Sequence, residues 1–137
     1  MRGILFKAKR IDNGKRIEGY YQKRYDLLGN ERHLILRVES RAVWELVEIN
    51  PETLCQFTGL CDKNGKKIWE NDILMAHLDE SYPEDVTYET VEWNFAGWVG
   101  NETDSTDRKY LDEFDLEYFE VVGNIFDNKE LLQEEYK

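Results

Sequence analysis

The sequence predicts a mainly β protein of the small-barrel or sandwich kind, and three observations point there. Aromatic residues make up 13% of the 137, with four Trp and eight Tyr, and aromatic side chains favour the pleated, half-buried surface of a sheet. Short apolar segments recur at intervals of roughly ten residues with turn residues between them, the spacing of barrels and sandwiches and not of βαβ units. The stretch from Gln56 to Ile73 reads as strand, tight turn and returning strand. At 41% apolar and 34% charged residues, the composition is globular, and the length fits one compact domain or two small ones sharing a core.

Taken in order, Leu5–Ile11 reads as a first strand. Asp12-Asn13-Gly14-Lys15 is a hairpin turn, expected to place both central residues at positive φ. Arg16–Gln22 returns, and Leu27-Leu28-Gly29-Asn30 is a second turn. Leu34, Leu36 and Val38 alternate with Ile35, Arg37 and Glu39 along a half-buried strand. Trp44–Ile49 continues the alternation until Asn50-Pro51-Glu52 breaks it. That break sets an expected boundary, with a β-hairpin-rich part over 1–52 and a second part over 53–137. Thr53–Leu60 is the next strand, and Asp62-Lys63-Asn64-Gly65 a tight turn with Gly where positive φ is needed. Ile68-Trp69 is a short return, with Trp69 expected in the core. Glu70-Asn71-Asp72 turns into a strand over Ile73–Leu78.

Residues 79–85 read as an acidic loop. Val86, Tyr88 and Thr90 share a face before the apolar positions switch to Val91 and Trp93, which suggests a β-bulge. Asn94-Phe95-Ala96-Gly97 turns into Trp98-Val99. Residues 100–113 are polar and read as a mobile loop. Phe114–Val122 is the last predicted strand, turned by Gly123-Asn124. Asp127 is expected to cap a short helix, with Glu130 completing a capping-box pattern and Leu131 and Leu132 buried.

Charge is uneven. The net is −11, but residues 1–78 hold 14 Lys/Arg and 11 Asp/Glu, a net of +3, and residues 79–137 hold 4 and 18, a net of −14. A basic front and an acidic back follow. Cys55 and Cys61, at the two ends of one predicted strand, would stand roughly 20 Å apart at about 3.3 Å per residue. A disulfide needs their Cα atoms within about 7 Å, so two free thiols of a reducing compartment are expected. With His33 and His77 as the only histidines and no Cys-x-x-Cys spacing, no structural zinc and no cofactor are expected. The N-terminus turns charged too early for a secretory h-region, and no apolar run approaches the roughly 20 residues of a membrane span. A cytoplasmic protein with no membrane partner is the expectation.

These segments, in this order, resemble the YopX family, small proteins of phages and prophages. The opening Arg2-Gly3-Ile4-Leu5-Phe6-Lys7-Ala8 looks like its first strand. Gln56-Phe57-Thr58-Gly59-Leu60, followed by Asp62-Lys63-Asn64-Gly65-Lys66-Lys67-Ile68-Trp69-Glu70-Asn71-Asp72-Ile73, is the most specific part. Val121-Val122-Gly123-Asn124-Ile125-Phe126-Asp127-Asn128 and Leu131-Leu132 match as well. Asn71 stands where the family pattern has Gly, and Asn tolerates a left-handed backbone. The resemblance implies an SH3-like barrel for the second part, and a bacterial host cytoplasm. It carries no activity and no catalytic residue.

Candidate sites are few. Asp72, Glu70 and His77 are the only acid–base candidates, and the turn chemistry of Asp and a hydrogen-bonded strand His account for them without catalysis. Non-enzymatic action is expected. Lys7, Lys9, Arg10 and Arg16, with Lys15, Lys23 and Arg24, form the candidate nucleic-acid surface, which the acidic back disfavours. Trp93 and Trp98 flank a turn as a candidate aromatic platform or as core. Charge separation also suggests a homo-oligomer joined head to tail, or mimicry of DNA charge toward a host protein. A binding or assembly module is the leading reading, with a nucleic-acid-associated factor using the basic front as the alternative.

Overall fold

A computed structural model describes residues 4–77, 86–94, 97–102, 108–112 and 116–133. The acidic loop predicted over 79–85 lies outside them. So do the N-terminal Arg2-Gly3, the centre of the Asn94–Gly97 turn and the His77 side chain. The protein is mainly β, with two antiparallel sheets, and divides into two compact units, residues 1–57 and 58–137.

The first unit holds β1 (Phe6–Lys9), β2 (Arg16–Tyr25), β3 (Glu31–Val38), β4 (Trp44–Glu48) and the start of β5 (Cys55–Cys61), in the order β4-β3-β2-β1-β5. Its core is Ala8, Ile17, Ile35, Val47 and Ile49, with Phe6 and Leu54 packed against them. An isolated bridge from Arg10 to Ile49 ties the end of β1 to the end of β4 and curls the sheet. Gly19 has a packing reason, since a Cβ there would overlap the Leu36 carbonyl oxygen and crowd Ile35 Cγ2 at 2.8 Å.

The first turn differs from expectation. Among the described residues of that turn only Gly14 has positive φ, at 70°. Arg10 N donates to Lys15 O at 2.8 Å and Gly14 N to Arg10 O at 3.0 Å, so the loop is longer than two residues and needs one left-handed position. Asn13 uses its side chain instead, accepting from Lys15 N at 2.9 Å. After β4, Asn50 accepts from Glu52 N and starts a single 3₁₀ turn over Pro51–Thr53, the predicted break.

The second unit holds the end of β5, β6 (Lys67–Trp69), β7 (Asp72–His77), β8 (Val86–Asn94), β9 (Gly97–Glu102), β10 (Arg108–Tyr110), β11 (Phe119–Asn124) and a helix α1 (Glu130–Gln133). Its sheet runs β10-β9-β8-β7-β11. Ile68, Leu74, Val91 and Leu116 form the core, joined by Leu60, Trp98, Leu111, Phe119 and Val121. Trp69 is buried, as expected of a core Trp.

Several expectations are corrected here. Among the described residues the second sheet does not close, because β10 and β11 are its edges, so the SH3-like closure is not seen. β8 keeps an unbroken register with β7 and β9, from His77↔Val86 to Asn94↔Gly97. The bulge lies instead in β11, where the register shifts between Val121 and Gly123. The polar stretch after Gly100 continues β9 to Glu102, and Arg108–Tyr110 pairs with it. The last strand starts at Phe119, after a turn at Leu116–Tyr118 that buries Leu116. Gly123 and Asn124 still belong to β11, and the chain turns at 125–127. Helix α1 starts at Glu130, too far on for Asp127 to be its cap. Asn124 organises that turn, accepting from Phe126 N at 2.9 Å and Asp127 N at 3.0 Å.

Candidate functional site

The best-specified motif is built for folding. Asp62 is 7% exposed. Its Oδ1 accepts from Asn64 N and Lys66 N, both at 2.9 Å, and its Oδ2 from Val121 N at 2.9 Å. One carboxylate therefore closes the β5–β6 turn and pins it to β11. Gly65 (φ 80°) supplies the left-handed residue. At the next turn Asn71 does the same at φ 69°, which confirms that Asn substitutes for Gly there. Its N–H donates to Val91 O at 2.8 Å, and its carbonyl accepts from Ile125 N at 3.0 Å. Asp72 is buried, and its Oδ2 accepts from Trp69 N at 2.8 Å. Both acids serve backbone donors. Among the described residues no group of three or more His, Cys, Asp or Glu could hold a metal ion. Cys55 and Cys61 are free thiols, the first buried and the second exposed.

The basic candidates lie in the first unit. Lys9 is directly opposite Arg16, and Lys7 opposite Glu18, so Lys7, Lys9 and Arg16 share the face of β1–β2 away from Ala8 and Ile17. Arg10 is drawn aside: its guanidinium meets Asp12 at 2.9 Å and Glu45 at 3.4 Å. Hydrogen bonding to Asp12 raises the Arg10 pKa and lowers that of Asp12. Lys23 and Glu31 pair at 3.0 Å, raising the lysine and lowering the carboxylate through the same bond. Arg32 meets Glu48 at 2.7 Å and Asp26 at 3.6 Å. Much of the front's positive charge is thus met locally.

Trp93 and Trp98 stand directly opposite across β8–β9, ring centres 5.0 Å apart and edge to face. Trp98 packs on the second core, while Trp93 is 54% exposed. The pair is half core and half surface.

The surface that sequence reasoning missed is apolar and lies in the first unit. Cross-strand partners Tyr20, Leu36 and Leu46, with Val38 and Trp44 beside them, line one face of β2–β3–β4. Tyr20, Val38 and Trp44 are exposed, Trp44 at 62%. At the β2–β3 turn, Leu27 and Leu28 are exposed almost completely. The signal was present in the sequence: two leucines sit inside a turn, where polar residues are the rule.

Three comparisons bear on these features. The YopX protein family matches residues 8–133. No curated protein matches the chain. Among solved structures the chain is similar to the crystal structure of protein EF1440 from Enterococcus faecalis, at 23% identity and a TM-score of 0.58, over 96% of this chain and 99% of that one. That likeness shows a shared fold.

Proposed function

The chain belongs to the YopX family, and from that premise we propose that it is a non-enzymatic phage or prophage accessory protein, a module that binds other protein and assembles with its own copies. The carrying observation is the apolar face Tyr20–Leu36–Leu46 with Val38 and Trp44 on β2–β3–β4. Contiguous exposed apolar surface rimmed by polar residues marks interaction sites, and Trp and Tyr are the usual anchors. The engagement of Asp62 and Asp72 with backbone N–H groups supports the non-enzymatic reading. Light scattering of the intact chain and of a Val38→Lys/Trp44→Glu variant, at low and high salt, tests this. The intact chain is expected to run as a multiple of one chain and the variant as a single chain; a single-chain mass for both sinks the assembly reading.

A second reading keeps one specific observation. Lys7, Lys9 and Arg16 share a face, and two further cations, Arg24 and Arg32, stand opposite one another on β2–β3. Such a face suits a single strand of nucleic acid. A gel shift at about 50 mM salt tests it, where counterion release leaves phosphate binding strong; no shift with DNA or RNA removes it.

A further inference from the structure

Leu27 and Leu28 are the most exposed large apolar residues among the described ones, at 105% and 88%. Exposure that complete means that no neighbour shields either side chain, so both project from the tip of the β2–β3 hairpin. The backbone beneath them is satisfied from within. Asp26 Oδ1 accepts from Leu28 N and Asn30 N, both at 2.9 Å, and Oδ2 accepts from Asn30 Nδ2 at 3.2 Å. Asp26 N donates to Asn30 O and Gly29 N to Asp26 O, both at 3.0 Å, with Gly29 at φ 85°. The N–H groups of Asp26, Leu28, Gly29 and Asn30 thus all have partners inside the turn. A turn that stays in water can leave its N–H groups to water, whereas one that enters an apolar medium must satisfy them itself. A preorganised turn also binds without the ordering cost of a loose loop.

The collar behind the tip carries little net charge. Lys23 meets Glu31 at 3.0 Å, and Arg32 meets Asp26 at 3.6 Å and Glu48 at 2.7 Å. Its acids therefore face their own cations. Arg24 bonds the neutral Gln22 side chain, through Nε at 3.1 Å and Nη2 at 2.8 Å, and keeps its charge for an outside group. Tyr25, 63% exposed, stands between this collar and the leucines. Apolar side chains foremost, then Tyr, then Arg is the order in which a peripheral protein meets the hydrocarbon, the interface and the phosphates of a leaflet.

We infer that the β2–β3 turn is a membrane contact, with Leu27 and Leu28 dipping into one leaflet of a lipid bilayer and Arg24 at its phosphates. The expectation of no membrane partner rested on the lack of a spanning run, and a tip that enters one leaflet needs none. Burial of the two leucines drives the contact and charge adds little, so it is weak and reversible for a single copy. It goes beyond the assembly reading and does not depend on it. Co-flotation of the full chain with phosphatidylcholine vesicles, with and without phosphatidylglycerol, at low and high salt, tests it. The intact chain is expected to float with both lipids and to lose little at high salt. Leu27→Ser/Leu28→Ser changes two side chains that nothing covers, so the urea midpoint is expected to stay and the vesicle partitioning to fall about 100-fold. Leu28→Trp is expected to gain a Trp signal that brominated lipid quenches. An intact chain that never floats, or a serine variant that floats as well as the intact chain, overturns the contact. Flotation that needs phosphatidylglycerol and vanishes at high salt is adsorption by charge and overturns it too. A serine variant that loses self-association while flotation is absent from both proteins assigns the turn to a protein partner and overturns the bilayer.

Discussion

Asp62→Ala is the sharpest test of how the second unit is held. The substitution removes three bonds from backbone N–H groups to one buried carboxylate. A hydrogen bond to a charged group contributes about 1.5–3 kcal/mol net when both partners are dry. The donors of Asn64 and Lys66 lie in an exposed turn where water replaces the carboxylate, so each loss is on the order of 0.5–1 kcal/mol. Val121 N is on a half-buried strand, and its loss is about 2 kcal/mol. The sum is about 3–4 kcal/mol, and a urea slope of about 2 kcal/mol/M converts it to a midpoint lowered by about 1.5–2 M. Asp62→Asn keeps one accepting oxygen but turns an N–H₂ toward a donor, and roughly half the loss is expected. Urea unfolding followed by Trp fluorescence reads this out, since Trp69, Trp93 and Trp98 all lie in the second unit. A midpoint within about 0.5 M of the intact protein, at unchanged slope, would refute the reasoning.

Other outcomes follow from the same geometry. Gly19→Ala is expected to destabilise the first unit by about 2–4 kcal/mol, because its Cβ meets backbone that cannot rotate away; thermal unfolding checks it. Cys61 is expected to react with a thiol reagent in the native protein, and Cys55 only after unfolding; equal rates would contradict the burial. Asp26 is held below the ordinary carboxylate range, chiefly by the Asn30 backbone N–H. A depressed folded pKa means stability that is fully present above the unfolded value of about 4 and lost as pH falls through the lower folded one. Asp26→Asn is therefore expected to flatten the acid limb of the stability–pH curve below about pH 4, measured by urea midpoints.

Much of this fold was legible because it rests on local chemistry. Asn50-Pro51, Gly29, Gly65 and Asn71 each mark a turn through a backbone demand that only a few residue types meet, and each turn is there. What the sequence hid were properties of partners far away in the chain. The β11 bulge depends on how β11 meets β7, so the apolar switch in β8 pointed to the wrong strand. Polar residues 100–102 and 108–110 read as loop, because pairing with a neighbour, and not side-chain apolarity, makes them strands. Asp62 was legible as a turn residue, but its bond to Val121, 59 positions on, was not. Leu27 and Leu28 were visible and were passed over as part of a turn; only their exposure makes them a surface.

The central claim is that the first unit's apolar surface is covered by another copy. Amide hydrogen exchange of the intact chain, compared between dilute and concentrated protein, tests it most directly. The account predicts slower exchange on concentration along β3 and β4, which carry Val38 and Trp44, with the Asp62 turn unchanged. Exchange along β3 and β4 that is the same at every concentration, in protein that also sediments as a single chain, would contradict it.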